Sequence, residues 1–307
     1  MKQTRGFALV ELLVVIAIIA LLMGILTPTL HRVRKHAKTV ICQSNLKEWA
    51  TIFTAYTGSN SGRLPKQGWY SLGIPVHWMY SMGEFCIGTE GIRCCPMATK
   101  PAYPNCGDDV QPNGGPIWRR SICVRGHDIV TEREHGDARG GTFLAWGKLR
   151  FRVYDEWTPD YYGSYGLNNW LYMPDDDKSF VLGGPSRKYA ANYWKTANAR
   201  NAGYIPMFLD SWWWCSWVKD TDTPPEHEGQ IKWFPCGCQN SIHRFCINRH
   251  GGSVNAAFLD CSVRKVGLKE LWTLKWHRRF NTAGPWTKTG GVQQDDWPEW
   301  MQKFKGY

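Results

Sequence analysis

The pair of residues best suited by type to acid–base chemistry is His250 and Asp260, both towards the C-terminal end of the 307-residue chain. Such a pair needs something to act on. No Gly-x-Ser-x-Gly elbow supplies a nucleophile, no glycine-rich loop cradles a phosphate, and no His-Glu-x-x-His run binds a catalytic metal. The two side chains are therefore read as holding a hairpin by hydrogen bonds, and the chain is not read as an enzyme. Cys236, Cys238, His243 and Cys246 have the types and spacing of zinc ligands. Outside the cytoplasm the same cysteines favour disulfides. Asp175, Asp176 and Asp177 offer hard oxygen ligands to calcium, or form a solvated acidic turn after Pro174.

The most informative single residue is Glu11. It is the one charge in the twenty residues from Phe7 to Leu26, an otherwise apolar run preceded by Lys2, Arg5 and Gly6. As a helix that run is roughly 30 Å long, the hydrocarbon thickness of a bilayer. A carboxylate there costs about 2.5–3.5 kcal/mol at the centre and less near an end. A signal anchor would account for the run but not for Glu11, nor for the glycine directly before the phenylalanine. No small-x-small cleavage site closes the run.

Basic leader, Gly6, Phe7, three apolar residues and Glu11 together resemble the N-terminus of type IV pilins and pseudopilins. The resemblance implies cleavage by a prepilin peptidase between Gly6 and Phe7 and N-methylation of Phe7. It also implies that Glu11 pairs with the N-terminal amine of a neighbouring subunit, so a carboxylate costly in one chain is compensated in a polymer. Further stretches are similar to a subgroup of these proteins with a C-terminal motif of His, nine residues, then Asp-Gly. They are Cys42-Gln-Ser-Asn45-Leu46, Gly163 to Trp170 with Asn168, Ile205 to Trp212 with Asp210, and Asn248-Arg249-His250 followed by Asp260-Cys261. Residues 254–259 and 262–266 are expected to form a β-hairpin. Cys261 stands where the subgroup has glycine at the tip, so either the turn differs in type or a disulfide holds it.

These residues need a scaffold, which reads as a leader (1–6), a membrane and assembly half-helix (7–27), an amphipathic half-helix (28–57) and a head (58–307). Apolar residues at Leu30, Val33, Ala37, Val40, Ile41, Trp49, Ile52, Phe53 and Tyr56 recur at helical steps, and Gly58 to Gly62 with Pro65 end the helix. The expected fold is α+β and pilin-like: a long N-terminal helix packed on a mainly antiparallel sheet with large disulfide-tied loops. Eleven cysteines point to an oxidising compartment.

The net charge of +11 is dispersed apart from Arg32, Arg34, Lys35 and Lys38, read as an anchor in lipid head groups rather than a nucleic-acid site. That cluster opposes the positive-inside rule. The resemblance and the cysteines favour the opposite orientation: leader inside the cytoplasmic membrane, head outside. Eighteen tryptophans, four of them at Trp212, Trp213, Trp214 and Trp217, could fill the head or present a platform to a glycan or a secreted protein. The expected partners are a prepilin peptidase, other pilin or pseudopilin subunits and the membrane. A membrane-tethered binding module is the rival reading.

Overall fold

The apolar run and the amphipathic run after it form one helix, α1, from Leu9 to Ser59. Its 51 residues make it about 76 Å long. The computed structural model describes residues 9–65, 78–103, 123–124, 137–138, 141–149, 152–153, 156–157, 161–173, 187–232 and 240–307. Pro28 lies inside α1, where it removes one backbone donor without ending the helix. Thr27 and Thr29 flank it and donate their hydroxyls to the carbonyls of Met23 and Ile25, at 2.8 and 3.0 Å. No hydroxyl in that apolar stretch is therefore left to find water. The helix stops where Ser61 and Gly62 take positive φ and Gly62 N–H donates back to Thr57 O at 2.7 Å.

Nine strands position the head's chemistry: β1 (Lys100–Tyr103), β2 (Cys123–Val124), β3 (Leu144–Leu149), β4 (Tyr161–Gly163), β5 (Tyr165–Asn168), β6 (Pro206–Asp210), β7 (Cys215–Ser216), β8 (Ser253–Phe258) and β9 (Val263–Gly267). They form a five-stranded sheet of order β7-β5-β6-β8-β9 and a four-stranded sheet of order β2-β1-β3-β4. Pairing is antiparallel except for β7 with β5 and β1 with β3. The long helix and mainly antiparallel head match the expected α+β pilin-like fold. The hairpin of β8 and β9 falls where the sequence placed it, paired from Ser253 with Gly267 to Ala257 with Val263.

All six residues of β8 are buried, because α1 crosses the five-stranded sheet over β8 and β6. Alternate residues of β6 share a face. Phe208 packs against Trp49 and Phe53 of α1, with ring centroids 6.1 and 5.9 Å apart, and Asp210 reaches Cys42 of the same helix. On the helix the buried positions are Thr39, Cys42, Asn45, Leu46, Trp49, Ala50, Phe53 and Thr57, a three-and-four spacing. The expected apolar face is corrected in part. Trp49 and Phe53 dock, but Leu30, Val33, Val40 and Ile41 are exposed, and the docking stripe runs through the polar Thr39, Cys42 and Asn45.

The disulfide expectation is also corrected for the described cysteines: Cys42, Cys86, Cys94, Cys95, Cys215, Cys246 and Cys261 are free thiols. Cys106, Cys236 and Cys238 lie outside the described residues, and Cys123 is described only in its backbone. Cys215 and Cys246 are packed in the core, where burial pushes both thiols up, Cys215 to about 12. Much of the cross-linking comes from tryptophan instead. Indole N–H groups donate to backbone carbonyls from Trp49 to Ile92, Trp78 to Trp214, Trp146 to Tyr165, Trp170 to Val218 and Trp272 to Asp222, at 2.7–3.1 Å. Each of these indoles ties two segments distant in sequence, in a head with few long strands.

Candidate functional site

The chemistry of the chain is concentrated at the two ends of α1's exposed and buried halves. From Leu9 to Ala37 every helix residue is exposed, including Glu11 in the first turn. By length and composition this helix is able to cross a membrane. Gly6 and Phe7, the expected processing residues, lie outside the described residues.

Where α1 meets the head, four side chains from four separate segments converge. Cys42 comes from α1, Cys95 from the loop before β1, Asp210 from the end of β6 and His250 from the loop before β8. All are buried, and their ligand atoms lie within 4.8 Å of one another. Cys42 Sγ is 3.5 and 3.7 Å from the two Asp210 oxygens, His250 Nε2 is 3.1 Å from Asp210 Oδ2, and Cys95 Sγ is 3.3 Å from His250 Nε2.

Each of the four is held by neighbours. Asn45 Nδ2 donates to Cys94 O, and Ser164 Oγ accepts from Cys95 N–H at 2.6 Å, fixing the Cys95 loop between α1 and β5. Asp210 Oδ2 accepts the Asn255 backbone N–H at 2.8 Å. Tyr165 donates its hydroxyl to Cys42 Sγ at 3.4 Å. Arg249 is fully buried and its side chain donates to Thr142 O, Ser164 O, Leu144 O, Ser211 O and Asp210 Oδ1 at 2.8–3.3 Å. One guanidinium thus joins β3, the β4–β5 link and the end of β6 behind the cluster.

The electrostatics follow from these contacts. Burial would raise the Asp210 carboxyl, but the charge and hydrogen bond of His250, then Arg249 and the Asn255 N–H, overcome it and hold it at about 2. Burial would lower His250, but Asp210 and Cys95 raise it to about 9. Cys42 is raised, first by burial and then by its bond to Cys95 and the negative Asp210. Burial also pushes Cys95 up, yet the bonds from Cys42 and His250 and the charge of Arg249 bring it to about 7. The cluster thus sets the Asp210 carboxylate against two buried cationic partners, Arg249 and a protonated His250, with the two cysteines beside them.

Comparison with known proteins bears on the other end of the helix. Residues 1–27 match the family described as the prokaryotic N-terminal methylation motif. The N-terminus carries the motif expected of a prepilin. The chain is also similar to the type IV wide pilus major component PilA4 of Thermus thermophilus, with 36% identity over 67 residues, 22% of this chain and 51% of that one. The chain thus spans about half the length of that relative. No solved structure matches.

In the head the other expected site residues separate. Asp260 is exposed in the hairpin tip, where its Oδ1 accepts from Ser262 N–H and Oγ–H. Its hairpin role stands, but His250 is turned to Asp210 instead. Cys261 takes φ +64 and is held not by a disulfide but by α1: its Sγ lies 2.9 Å from Thr54 Oγ1 and its carbonyl accepts from Lys47 Nζ at 2.8 Å. Asn168 is a buried tie, donating to Pro206 O and Trp276 O at 2.9 Å and accepting from Trp170 N–H.

Of the expected zinc set, Cys236 and Cys238 lie outside the described residues. His243 Nε2 is 3.0 Å from Thr223 O, and Cys246 is in the core. Asp175, Asp176 and Asp177 also lie outside the described residues. Of the tryptophan run, Trp212, Trp214 and Trp217 fill the head, at most 3% exposed, and Trp213 is partly buried. Residues 212–214 form bends rather than an extended strand, so neighbouring rings need not alternate between faces.

Sequence reasoning missed Cys95, Thr39 and Arg249 as partners of the Asp210 cluster. The legible signal was the helical register of Thr39, Cys42, Asn45 and Trp49, a polar stripe within the apolar face.

Proposed function

We propose that this chain is a prepilin-type filament subunit, cleaved after Gly6 and N-methylated at Phe7. The observation that carries the reading is the methylation motif on residues 1–27, leading directly into a helix whose residues 9–37 stand clear of the head. Such a surface is stable only in lipid or against other helices. The head is borne outside the cytoplasmic membrane. The exposed half of α1 rests in the bilayer before assembly and packs against neighbouring subunits after it. In the filament Glu11 pairs with the N-methylated amine of Phe7 in the next subunit, fixing axial register. The chain's size suits either a secretion pseudopilus or a type IV pilus-like filament, and its partners are a prepilin peptidase and other pilin-like subunits. The burial of Trp212, Trp214 and Trp217 counts against the tethered glycan-binding alternative, which would need those rings exposed.

N-terminal mass spectrometry of the chain from its native host tests the processing, with N-methyl-Phe7 as the expected first residue. An intact Met1 or a cut beyond Leu26 would overturn it. Glu11→Ala should leave the processed chain in the membrane but out of sheared filaments. Unchanged filament incorporation would remove the register role given to Glu11, and absence of the wild-type chain from sheared filaments would point to a tether instead.

A further inference from the structure

We propose that the junction between α1 and the head is a structural metal site, in which Cys42 Sγ, Cys95 Sγ, an Asp210 carboxylate oxygen and His250 Nε2 bind one divalent transition-metal ion of the zinc class. This inference is independent of filament assembly.

The first argument is geometric. A tetrahedral ion with metal–sulfur bonds of about 2.3 Å and metal–nitrogen or –oxygen bonds of about 2.0–2.1 Å has ligand–ligand edges of about 3.3–3.8 Å. With Asp210 Oδ2 as the ligand oxygen, the distances already present are 3.7 Å from Cys42 Sγ to Asp210 Oδ2, 3.3 Å from Cys95 Sγ to His250 Nε2 and 3.1 Å from His250 Nε2 to Asp210 Oδ2. Only small movements separate these contacts from a ligand shell.

The second argument is the state of the imidazole. Thr39 has one hydroxyl proton, and it goes to Lys35 O at 3.0 Å. Its oxygen is therefore left to accept from His250 Nδ1–H at 3.1 Å. That bond places one ring proton on Nδ1 and turns Nε2 to the cluster, the arrangement of an imidazole ligand whose outer nitrogen is anchored. Without a cation, a single Nε2 proton would have to serve both Asp210 Oδ2 and Cys95 Sγ. A metal ion satisfies both, and Cys42 as well.

The third is charge and support. Two thiolates and a carboxylate carry three negative charges, a divalent ion carries two positive ones, and Arg249 one more, so the buried assembly is neutral. A buried assembly without net charge avoids most of the desolvation cost. Tyr165 O–H on Cys42 Sγ, and Arg249 and Asn255 N–H on Asp210, are donors that suit a thiolate and a carboxylate bound to a metal. Thiolates and imidazole select a zinc-like ion over calcium or magnesium. Four protein ligands leave no open position, so the ion would tie the assembly helix to the head rather than catalyse.

The test uses the full-length chain in detergent. Elemental analysis should find one zinc per chain, lost in Cys95→Ser and His250→Gln and kept in Cys215→Ser and Cys261→Ser, whose thiols lie elsewhere. Because ligand variants can misfold, the wild-type chain is also stripped with a chelator and titrated with Co2+. A thiolate-to-cobalt charge-transfer band with strong visible bands, saturating at one equivalent and abolished by Zn2+, supports the site. Absence of both bound zinc and the cobalt–thiolate band overturns it. So does peptide mapping that finds Cys42 joined to Cys95 as a disulfide in the isolated chain.

Discussion

Thr39 on α1 and His250 in the head share a hydrogen bond of 3.1 Å across 211 positions of chain. It belongs to the stripe by which α1 is keyed to the sheet. The Thr39 hydroxyl is also bonded to Lys35 O, so the helix itself sets the orientation of the His250 ring.

Thr39→Val keeps the shape of the side chain but removes the acceptor for a buried imidazole N–H. It should destabilise the head by about 1–3 kcal/mol, whereas Thr39→Ser should stay close to wild type. Urea unfolding followed by tryptophan fluorescence checks this. Equal stability of the valine and serine variants would show that the bond contributes nothing.

Arg249 carries an unusual density of buried bonds. Its fork bonds Asp210 and four backbone carbonyls, all buried. Arg249→Met leaves the Asp210 carboxylate without its guanidinium partner and should cost about 3–5 kcal/mol. Arg249→Lys keeps the charge but offers three donors in a different geometry, and should still lose about 2 kcal/mol. A lysine variant with a wild-type urea midpoint would refute the bonding argument.

The tip of the β8–β9 hairpin gives a different kind of prediction. Cys261 sits at φ +64, where a Cβ is disfavoured by about 1–2 kcal/mol. Its sulfur recovers part of that through Thr54 and Ala50 of α1. Cys261→Ala keeps the strain and loses the sulfur contacts, so it should be less stable than wild type. Cys261→Gly removes the strain and should exceed the alanine variant by about 1 kcal/mol, checked by thermal unfolding. The reverse order would mean that the turn is not strained.

What the sequence disclosed was what depends on neighbours along the chain. The apolar run, the helix end at Gly58 to Gly62 and the hairpin after His250 all rest on local hydropathy and turn chemistry. The cluster of Cys42, Cys95, Asp210 and His250 was hidden because its members come from four segments, and cysteine identity alone suggested disulfides. Trp212, Trp213 and Trp214 were hard to place for a related reason: alternation between faces applies to extended backbone, and these three residues are in bends. Cys261 was half legible. Its place at the glycine position of the hairpin tip marked it as unusual, but the docking of the tip on Thr54 and Lys47 required the fold.

His277 and Asp222 pull the pH dependence of the head in opposite directions. Burial, and to a lesser degree the charge of Lys275, lowers His277 from 6.5 to about 3. Its Nδ1 accepts the Arg279 backbone N–H at 3.2 Å, which requires that nitrogen to be unprotonated. Between pH 6.5 and about 3 the unfolded chain therefore binds a proton that the folded head refuses, and stability falls as pH drops, by up to about 1.4 kcal/mol per pH unit. Asp222 does the reverse. Burial raises it from 3.8 to about 7 against the backbone bonds from Lys219 and Ile242, both of which land on Oδ2. From about 7 down to 3.8 the folded head binds the extra proton, and stability rises as pH drops. The two slopes offset in the shared window from pH 6.5 to 3.8, so wild-type stability should change little there from these groups. His277→Phe should become more stable relative to its own neutral-pH value as pH falls, and Asp222→Asn should lose stability more steeply than wild type. Urea midpoints measured at half-unit steps through the window separate the two slopes, and parallel profiles for wild type and both variants would overturn the assignment.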